Sequence, residues 1–351
     1  MCLSVSKIFV NAVSGIGENL LFVPALRLLR KHYPAARIVM AVRSPAAVLL
    51  LKGGGLADEI IACDYRIQNI LRKKIELILA LRKEKFDIAI TAFPSNRLDK
   101  AILSWLSGAG VRVSHDQGGI ITGLFRFMSN VYAPVDYKAH DVEQNLNLLK
   151  QLGIDTSEAE KEPGLWIADE AEKDARIFLE KHNINGPDIF GLHPGSSGDL
   201  GMKNKRWPLD KFRALAEHIL EKYGGTVLVF IGPDETGLAF DAKPGRVFFV
   251  TQELDVASAL IKKCRLFVGN DSSLMHIAAM SGVPTIGIFG PADPLRTGPR
   301  GPKTAVISGR SSCSPCYTFK DLGKPIKCKA GSECLNSISV EDVLALAEKI
   351  Q

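Results

Sequence analysis

Short runs of apolar residues alternate along the chain with longer stretches in which apolar residues recur at helical spacing. The apolar runs predict strands at residues 7–11, 37–42, 60–62, 86–93, 189–192, 226–231, 247–250, 266–268 and 285–289. The longer stretches predict helices at residues 19–32, 67–85, 97–106, 136–152, 169–182, 255–263 and 337–349. Strands that alternate with helices predict parallel sheets, and therefore an α/β fold.

A change in composition divides the chain. Residues 153–168 are polar and include Pro163 and Gly164, which is typical of a linker between domains. The chain has 351 residues, which is enough for two domains of ordinary size. We therefore expect one domain at residues 1–160 and a second at 161–336, followed by a terminal helical segment at 337–351.

Composition and charge exclude several classes of protein. Apolar residues make up 46% and charged residues 23%, which is typical of a soluble globular protein. The net charge of +6 is compatible with an anionic ligand, and no dense basic run with interleaved aromatic residues indicates a nucleic-acid partner. The first residues lack the pattern of a signal peptide, and no run of 18 apolar residues occurs. We expect a cytoplasmic protein with reduced cysteines.

The stretch from Gly269 to Pro299 places polar residues where a strand gives way to a helix. Asn270 and Asp271 follow the apolar run, and Ser272 and Ser273 can cap the next helix. Open α/β sheets bind ligands at such strand ends, because helix N-termini present free N–H groups to anions. A helix cap without any ligand explains these residues about equally well.

The same stretch resembles the C-terminal signature of glycosyltransferase family 9, the ADP-heptose:lipopolysaccharide heptosyltransferases. That signature reads roughly N-D-[ST]-G-x-x-H-x-A-A-x-G-x-P, then F-G-P-[ST]-D-P-x-x-x-G-P. The chain matches it at Asn270, Asp271, Ser272, His276, Ala278, Ala279, Gly282, Pro284, Phe289, Gly290, Pro291, Asp293, Pro294, Gly298 and Pro299. It departs at Ser273, where the family usually has glycine, and at Ala292. The resemblance implies that Asp271 acts in catalysis by hydrogen-bonding the sugar, and that Ser272 and His276 bind the substrate. We expect Ser273 to bind the substrate as well, because it lies at the start of the same helix.

A turn at residues 12–18 joins the first predicted strand to the first helix. Its G-x-G pair is weak evidence for phosphate binding, since glycines at such a turn commonly just allow a tight corner. The wider string resembles the opening pattern of the same family, with matches at Gly17, Pro24, Leu26, Leu29 and Pro34. The resemblance implies that Gly17 lies at the substrate site.

Glu18 follows that glycine, at a position where the family has an aspartate proposed as the base that activates the acceptor hydroxyl. The additional methylene keeps this chemistry available but moves the carboxylate by about one bond length, a shift to which active sites are sensitive. Glu18 is therefore either the catalytic base or a carboxylate favourably placed at a helix N-terminus.

Residues 193–208 form a long loop between a predicted strand and a helix, and loops of this length are usually functional. Its small residues, hydroxyls and three cations suit a diphosphate. The loop also resembles the family string H-P-G-[AS]-x followed by K-R-W-P, which implies that Ser196 and Ser197 contact the phosphates and that Lys205 neutralises them. A purely structural Lys205 is the alternative.

An acidic pair follows the predicted strand at residues 226–231. An acid at the end of a nearby strand is a plausible partner for ribose hydroxyls. The family has a glutamate in this area, which favours Glu235 over Asp234 as the binding residue.

Four cysteines near the end of the chain have the spacing C-x₂-C-x₁₁-C-x₅-C, at Cys313, Cys316, Cys328 and Cys334. This spacing suits a structural zinc site with tetrahedral geometry. Reduced cysteines without a metal ion, and a disulfide, are the two alternatives.

Two segments of the first domain bear on contact with a membrane. The helix at residues 67–85 has a basic face, which is either solvated or meets phosphate or a membrane surface. Residues 118–132 are apolar and aromatic for a loop, so they are either buried or approach lipid. In the family the N-terminal domain holds an acidic lipid-linked glycan. The resemblance therefore implies this acceptor as a partner, and leaves peripheral contact with the inner membrane open.

The residues and the resemblance together lead to one prediction. We expect a GT-B fold, an α/β fold of two facing Rossmann-like domains with the active site in the cleft and the terminal helix crossing back onto the N-terminal domain. No D-x-D motif occurs, so no catalytic metal ion or other cofactor is expected. The implied reaction is the inverting transfer of heptose from ADP-heptose to the lipopolysaccharide inner core, with Glu18 as the base.

Two alternatives to this function remain. One is a GT-B enzyme that uses another nucleotide sugar or another acceptor. The other is a non-catalytic protein that binds nucleotide sugars, which the departures at Glu18 and Ser273 make conceivable.

Overall fold

The chain contains two six-stranded β-sheets, each built of parallel strands. The computed structural model describes residues 5–63, 70–118, 123–159, 164–240, 243–318, 321, 324–328 and 330–350. The chain divides into two units, Met1–Lys161 and Glu162–Gln351, and each unit contains one six-stranded sheet. All neighbouring strands pair in parallel, as expected when helices alternate with strands. The predicted α/β class is confirmed.

The first sheet contains β1 (Lys7–Ala12), β2 (Arg37–Val42), β3 (Glu59–Ala62), β4 (Ile88–Thr91), β5 (Val111–Asp116) and β6 (Val131–Pro134). Their order in space is β3-β2-β1-β4-β5-β6. The central strands are continuous apolar runs because helices cover both faces of such a sheet. The order reverses between β1 and β4, so the carboxyl ends of these two strands form a topological switch point.

The second sheet repeats this arrangement. It contains β7 (Ile189–His193), β8 (Thr226–Phe230), β9 (Val247–Val250), β10 (Leu266–Asn270), β11 (Thr285–Phe289) and β12 (Thr304–Ser308). The order β12-β11-β10-β7-β8-β9 reverses between β7 and β10. The second switch point therefore lies where β7 and β10 end.

The helices connect the strands of each sheet. The first unit contains α1 (Ile16–His32), α2 (Pro45–Lys52), α3 (Ile70–Glu84), α4 (Leu98–Leu106) and α5 (Asp141–Lys150). The second contains α6 (Asp169–Lys181), α7 (Leu209–Tyr223), α8 (Leu254–Lys262), α9 (Ser273–Met280), α10 (Pro294–Thr297), α11 (Glu333–Asn336) and α12 (Val340–Ile350). The start of the predicted helix at 67–85 lies outside the described residues, as does Pro163 of the predicted linker.

Each unit has its own hydrophobic core, which includes side chains of its sheet. In the first unit Phe9 and Val39 of the sheet pack with Phe86. In the second unit the fully buried Trp207 packs with strand residues such as Ile286. Two separate cores are what two independent domains require.

The terminal helix α12 packs within the second unit. Val343 and Ala347 on its apolar face belong to the core that contains Trp207. Just before the helix, the carbonyl oxygen of Ile338 accepts hydrogen bonds from Trp207 Nε1 (3.1 Å) and Lys211 Nζ (2.7 Å). The apolar face of α12 packs against β11, β12 and α7. The expectation that the terminal helix crosses back onto the N-terminal domain stays a prediction.

The apolar segment at residues 118–132 lies partly at the surface. Leu124 is 75% exposed and Phe127 57% exposed, whereas Met128 is buried. The Phe127 ring meets the Trp105 ring edge-on, with 5.6 Å between the ring centroids. Residues 119–122 lie outside the described part of the chain. None of the helices that the structure describes is long and apolar enough to cross a membrane.

Candidate active site

Asn270 ends β10 and is fully buried at the second switch point. Its Nδ2 donates to the carbonyl oxygens of Pro194 (2.8 Å) and Gly195 (3.2 Å), and its Oδ1 accepts from the Trp207 N–H (2.9 Å). One amide therefore fixes both ends of the 193–208 loop to the central strand. Asn270 belongs to the family motif, but this role was not predicted; an amide at the end of an apolar strand was the available signal.

Lys205 and Asp271 form an ion pair at this edge of the sheet. The Lys205 Nζ lies 2.7 Å from Asp271 Oδ2, and the two side chains are 15% and 8% exposed. Lys205 ends a 3₁₀ segment, Asp199–Lys205, and Asp271 directly follows β10. Because Asp271 orients the ammonium group, the remaining N–H groups of Lys205 are available to phosphate oxygens. The structure thus brings together two residues that the sequence analysis assigned to the same ligand.

Tyr317 adds an aromatic face beside Lys205. The Lys205 Nζ lies 5.8 Å from the centroid of the Tyr317 ring, within the range of a cation–π contact. The backbone N–H of Tyr317 donates to the Pro291 carbonyl at 2.8 Å, which holds the ring near the strand ends. Sequence reasoning missed Tyr317, because nothing in its local pattern indicates contact with a residue so far away in the chain.

Helix α9 begins beside this pair. Ser272 occupies the N-cap position, but its side chain makes no capping hydrogen bond, so the expected serine cap is wrong at this residue. The Ser272 hydroxyl oxygen is buried and has no hydrogen-bond partner among the described residues. Ser273 is the first residue of the helix, and His276 is buried in its first turns. An unpaired hydroxyl and the free N–H groups of a helix N-terminus both suit an anionic oxygen.

The two serines of the 193–208 loop differ in their surroundings. Ser196 is buried, and its hydroxyl donates to the Met202 carbonyl oxygen at 2.8 Å. Ser197 is exposed. In this structure the Ser196 side chain therefore holds the loop in shape, and contact of Ser196 and Ser197 with phosphate stays a prediction.

Glu235 belongs to a buried network that closes the same loop. Its Oε2 accepts from the Gly232 N–H at 2.8 Å, and its Oε1 lies 3.5 Å from Arg206 Nη2. The same guanidinium nitrogen donates to the Ser196 carbonyl oxygen at 2.5 Å. A Cβ atom at Gly195 would overlap the Glu235 carboxyl group, so a larger residue there would displace this buried carboxyl group. These contacts give Glu235 a structural role, and its contact with ribose stays a prediction.

Glu18 lies in the first turn of α1, at the switch point of the first sheet. Gly15 is the N-cap and Gly17 precedes Glu18 in the same turn. The Glu18 carboxylate folds over Gly15, where an added Cβ atom would lie 2.5 Å from Glu18 Oε2. Glu18 is half-exposed, and its carboxylate accepts no hydrogen bond within the described ranges. The position is favourable at a helix N-terminus and leaves the carboxylate accessible to a proton donor.

A buried lysine near Glu18 was missed by sequence reasoning. Lys100 in α4 is 1% exposed, and its Nζ donates to Ser14 Oγ (2.7 Å), to the Ala92 carbonyl (3.1 Å) and to the Pro94 carbonyl (2.8 Å). Burial lowers the pKa of Lys100 to about 7, and the charge of Glu18 partly opposes this effect. A lysine in the predicted helix at 97–106 gave no signal, because such residues usually face solvent.

The late cysteines are free thiols. Cys313 and Cys316 are exposed, Cys328 is half-buried and Cys334 is buried. Burial and the neighbouring cysteines raise the pKa of Cys316. The Ser332 N–H, which donates to the Cys328 sulfur at 3.1 Å, lowers the pKa of that thiol. Over the described ranges, no group of three or more His, Cys, Asp or Glu side chains could hold a metal ion. The predicted zinc site is therefore not supported.

Two units, each with a six-stranded parallel sheet and a switch point, are the arrangement of the GT-B fold class. The chain belongs to glycosyltransferase family 9 (heptosyltransferase), whose model matches residues 75–327. The resemblance noted in the sequence is thereby confirmed, and the protein is a glycosyltransferase.

Two curated relatives cover most of the chain. Lipopolysaccharide heptosyltransferase 3 of Escherichia coli K12 is 25% identical over 349 residues, which is 95% of each chain. Lipopolysaccharide heptosyltransferase 2 of the same strain is 26% identical over 323 residues, covering 86% of this chain and 87% of that one.

Solved structures agree with the GT-B fold. The glycosyl transferase family 9 protein from Veillonella parvula superposes with a TM-score of 0.79 at 26% identity, covering 100% of this chain and 98% of that one. The E. coli ADP-heptose lps heptosyltransferase II superposes with a TM-score of 0.74 at 22% identity, covering 98% of both chains. The predicted GT-B fold is confirmed.

Proposed function

We propose that this protein transfers a heptose from ADP-heptose to an inner-core sugar of lipopolysaccharide. The observation that carries the proposal is the largely buried Lys205–Asp271 ion pair, which lies beside the N-terminus of α9. The pair lies at a switch point, where sheets of this kind bind ligands. The names of the curated relatives support the sugar and the acceptor. One solved neighbour, the E. coli heptosyltransferase WaaC, was crystallised with ADP-2-deoxy-2-fluoro heptose, which supports the donor.

The second unit binds the donor in this proposal. The Lys205 ammonium group, the Ser197 hydroxyl and the first N–H groups of α9 bind the diphosphate, with Ser272 Oγ as a further partner. The Ser196 hydroxyl also binds it, and gives up its hydrogen bond to the Met202 carbonyl oxygen when the donor is bound. Asp271 holds Lys205 in place and accepts a hydrogen bond from a sugar hydroxyl. Because these groups supply positive charge where the leaving ADP becomes more negative, we expect the reaction to need no metal ion.

The first unit supplies the base. The Glu18 carboxylate takes the proton from the acceptor hydroxyl as its oxygen forms a bond to the anomeric carbon of the heptose. The bond between that carbon and the β-phosphate oxygen breaks, and its electron pair leaves with ADP. Attack on the face opposite the leaving group inverts the anomeric centre.

The charge distribution supports an acidic acceptor. Residues 1–161 contain 21 lysines and arginines against 15 aspartates and glutamates, a net charge of +6, whereas residues 162–351 contain 23 of each. The entire net positive charge therefore lies in the unit proposed to bind the acceptor. Exposed Leu124 and Phe127 lie in the same unit and suit a lipid surface. This proposal places the protein in the cytoplasm, in peripheral contact with the inner membrane.

A donor screen tests the function directly. The purified chain is incubated with deacylated inner-core lipopolysaccharide and with ADP-heptose, UDP-sugars or GDP-sugars in turn, and released nucleotide and glycosylated acceptor are both measured. The proposal expects turnover with ADP-heptose. Turnover with a different sugar nucleotide, and none with ADP-heptose, would overturn the assigned donor while leaving a glycosyltransferase.

A further inference from the structure

Lys100 is a buried cation that the proposed reaction does not yet use. Its three hydrogen-bond acceptors, Ser14 Oγ and the carbonyl oxygens of Ala92 and Pro94, match the three N–H groups of an ammonium ion. The side chain therefore has no donor left for a ligand. Its contacts point to a role in holding other parts of the protein.

The three acceptors belong to two different loops of the first switch point. Ser14 lies in the turn between β1 and α1, directly before the turn that carries Glu18. Ala92 and Pro94 lie in the segment that follows β4. β1 and β4 are hydrogen-bonded neighbours. Lys100 therefore joins the loops at the two strand ends and braces the start of α1 against the segment after β4.

A second set of buried contacts holds the segment after β4 from its other side. The Phe93 N–H donates to Asn145 Oδ1 at 2.9 Å, and Asn145 Nδ2 donates to the Leu21 carbonyl oxygen of α1 at 3.2 Å. Asn145 thus stabilises the same junction by neutral hydrogen bonds alone. These neutral bonds do not explain why the same junction also contains the buried amino group of Lys100.

Stability does not explain the charge. No carboxylate forms an ion pair with Lys100 within the described residues, and its burial lowers the pKa of the ammonium group to about 7. The charged groups that act on it are Glu18 and Asp99, which favour the ammonium form, and Arg97, which opposes it. The buried His115 also lies within range of its charge. A buried cation without an ion-pair partner costs free energy that an apolar side chain would not.

We propose that Lys100 is a positioning residue for Glu18. Its side-chain amino group fixes the Ser14 turn, and when that group is protonated its charge also attracts the Glu18 carboxylate. Both effects hold Glu18 in the orientation that accepts the acceptor proton. This inference rests on the proposed function, because it assumes that Glu18 is the base. Lys100 itself touches neither substrate. Its removal should therefore act on the rate through Glu18, and should leave donor binding alone.

A double-mutant cycle with Glu18 tests the coupling. Lys100→Met is expected to lower kcat about tenfold to a hundredfold, the cost of misplacing a catalytic group by about 1 Å. The KM for ADP-heptose should stay within about twofold, since the donor site lies in the other unit. In the Glu18→Gln background the same substitution should change kcat by less than about threefold, because the group that Lys100 positions is already disabled. Equal losses in both backgrounds would overturn the proposal.

Two further variants separate positioning from folding. Ser14→Ala removes only the hydrogen bond to the turn, and we expect it to lower kcat in the same coupled way by a smaller factor. Ser104→Ala is the matched control: Ser104 is buried in the same helix and bonds Asn11 and Thr91 instead. It should leave kcat unchanged. The removal of Lys100 leaves three acceptors without a donor, so we expect Lys100→Met to have a lower melting temperature. All rates are therefore compared at a temperature at which every variant is folded.

Hydrogen exchange gives a readout that does not depend on the donor or on Glu18 as the base. The Asn19 N–H donates to the Gly15 carbonyl oxygen at 3.1 Å in the first turn of α1. In Lys100→Met this amide should exchange faster, while amides of α9 keep their wild-type rates. Unchanged exchange at Asn19 would overturn the positioning role. A wild-type rate for Glu18→Gln would instead overturn the assigned base, so the two failures are distinguishable.

Discussion

Lys205 forms an ion pair with Asp271 in the site proposed for the diphosphate. The removal of Lys205 should therefore weaken ADP binding. Lys205→Ala deletes the cation and leaves the shielded Asp271 charge without a partner. ADP binding is expected to weaken about tenfold to a hundredfold, because a charge-assisted contact is worth about 1.5–3 kcal/mol. Calorimetry at low salt measures this, with Lys203→Ala, an exposed lysine of the same segment, as the control. Equal dissociation constants for Lys205→Ala and the wild type would place the diphosphate elsewhere.

The rates of Glu18 variants distinguish a catalytic base from a carboxylate that only stabilises the start of α1. A positioned general base contributes typically 10²–10⁴-fold to rate, so Glu18→Gln should lower kcat by about that factor and leave the ADP dissociation constant nearly unchanged. Glu18→Asp should keep substantial activity, because the shorter carboxylate restores the residue typical of the family. Steady-state rates with the lipopolysaccharide acceptor measure both. If the glutamine variant turns over at the wild-type rate, the carboxylate only stabilises the start of α1.

Lys100 should also make stability depend on pH in a defined direction. Its pKa falls from an ordinary value of 10.5 to about 7 in the folded protein, so between these values the unfolded chain binds a proton that the folded protein does not. Stability conferred by this group therefore rises with pH from about 7 to 10.5, by at most about 1.4 kcal/mol per pH unit. The difference between wild type and Lys100→Met in urea unfolding isolates it. A difference that does not vary with pH would contradict the buried, depressed ammonium.

The four late cysteines should behave as ordinary thiols. Metal analysis of protein purified without added metal is expected to find no stoichiometric zinc, and a chelator should not change the melting temperature. In a thiol titration at neutral pH we expect Cys328 to react first, since the Ser332 N–H favours its thiolate, and buried Cys334 to react last. One zinc per chain, lost together with stability in chelator, would restore the metal site.

At the scale of elements, the periodic apolar runs predicted the interior strands well because these strands are buried on both faces. Strands β1, β2, β7, β8, β10 and β11 agree with their predicted positions to within two residues at each end. The missed strands β5, β6 and β12 carry polar or half-exposed positions, such as Arg112 in β5 and Thr304 in β12. A strand of this kind has no continuous apolar run, so its pairing partners, not its own residues, determine it.

In the candidate site, too, residues within a sequence motif could be predicted, whereas contacts between residues far apart in the sequence could not. Lys205 and Asp271 were assigned to one ligand because each lies in a motif whose residues are close in sequence. Lys100 and Ser14 are 86 positions apart and meet only because β1 and β4 become neighbours in the sheet. The terminal helix is a further case: its apolar face could be read from Val343 and Ala347, but the surface that it covers could not.

At the scale of the whole molecule, the proposed reaction assigns donor binding to the second unit and acceptor binding to the first. Each repeats the same strand order, and each has polar residues at its own switch point. The second unit is neutral overall and contains the groups proposed for ADP, whereas the first has the net charge of +6 and Glu18. Donor and acceptor binding should therefore respond separately to changes made in one unit.

Hydrogen exchange of the full chain with and without ADP tests this division. We expect ADP to slow exchange in the 193–208 loop and in the first turn of α9, where its diphosphate binds. Exchange in β1 and the first turn of α1 should stay unchanged, because no proposed ADP contact lies there. Lys205→Ala, measured at the same ADP concentration, should lose most of the protection in both segments of the second unit, while Glu18→Gln should keep it. Protection that appeared in the first turn of α1 and not in the 193–208 loop would reverse the assignment, and would make the first unit the donor-binding one.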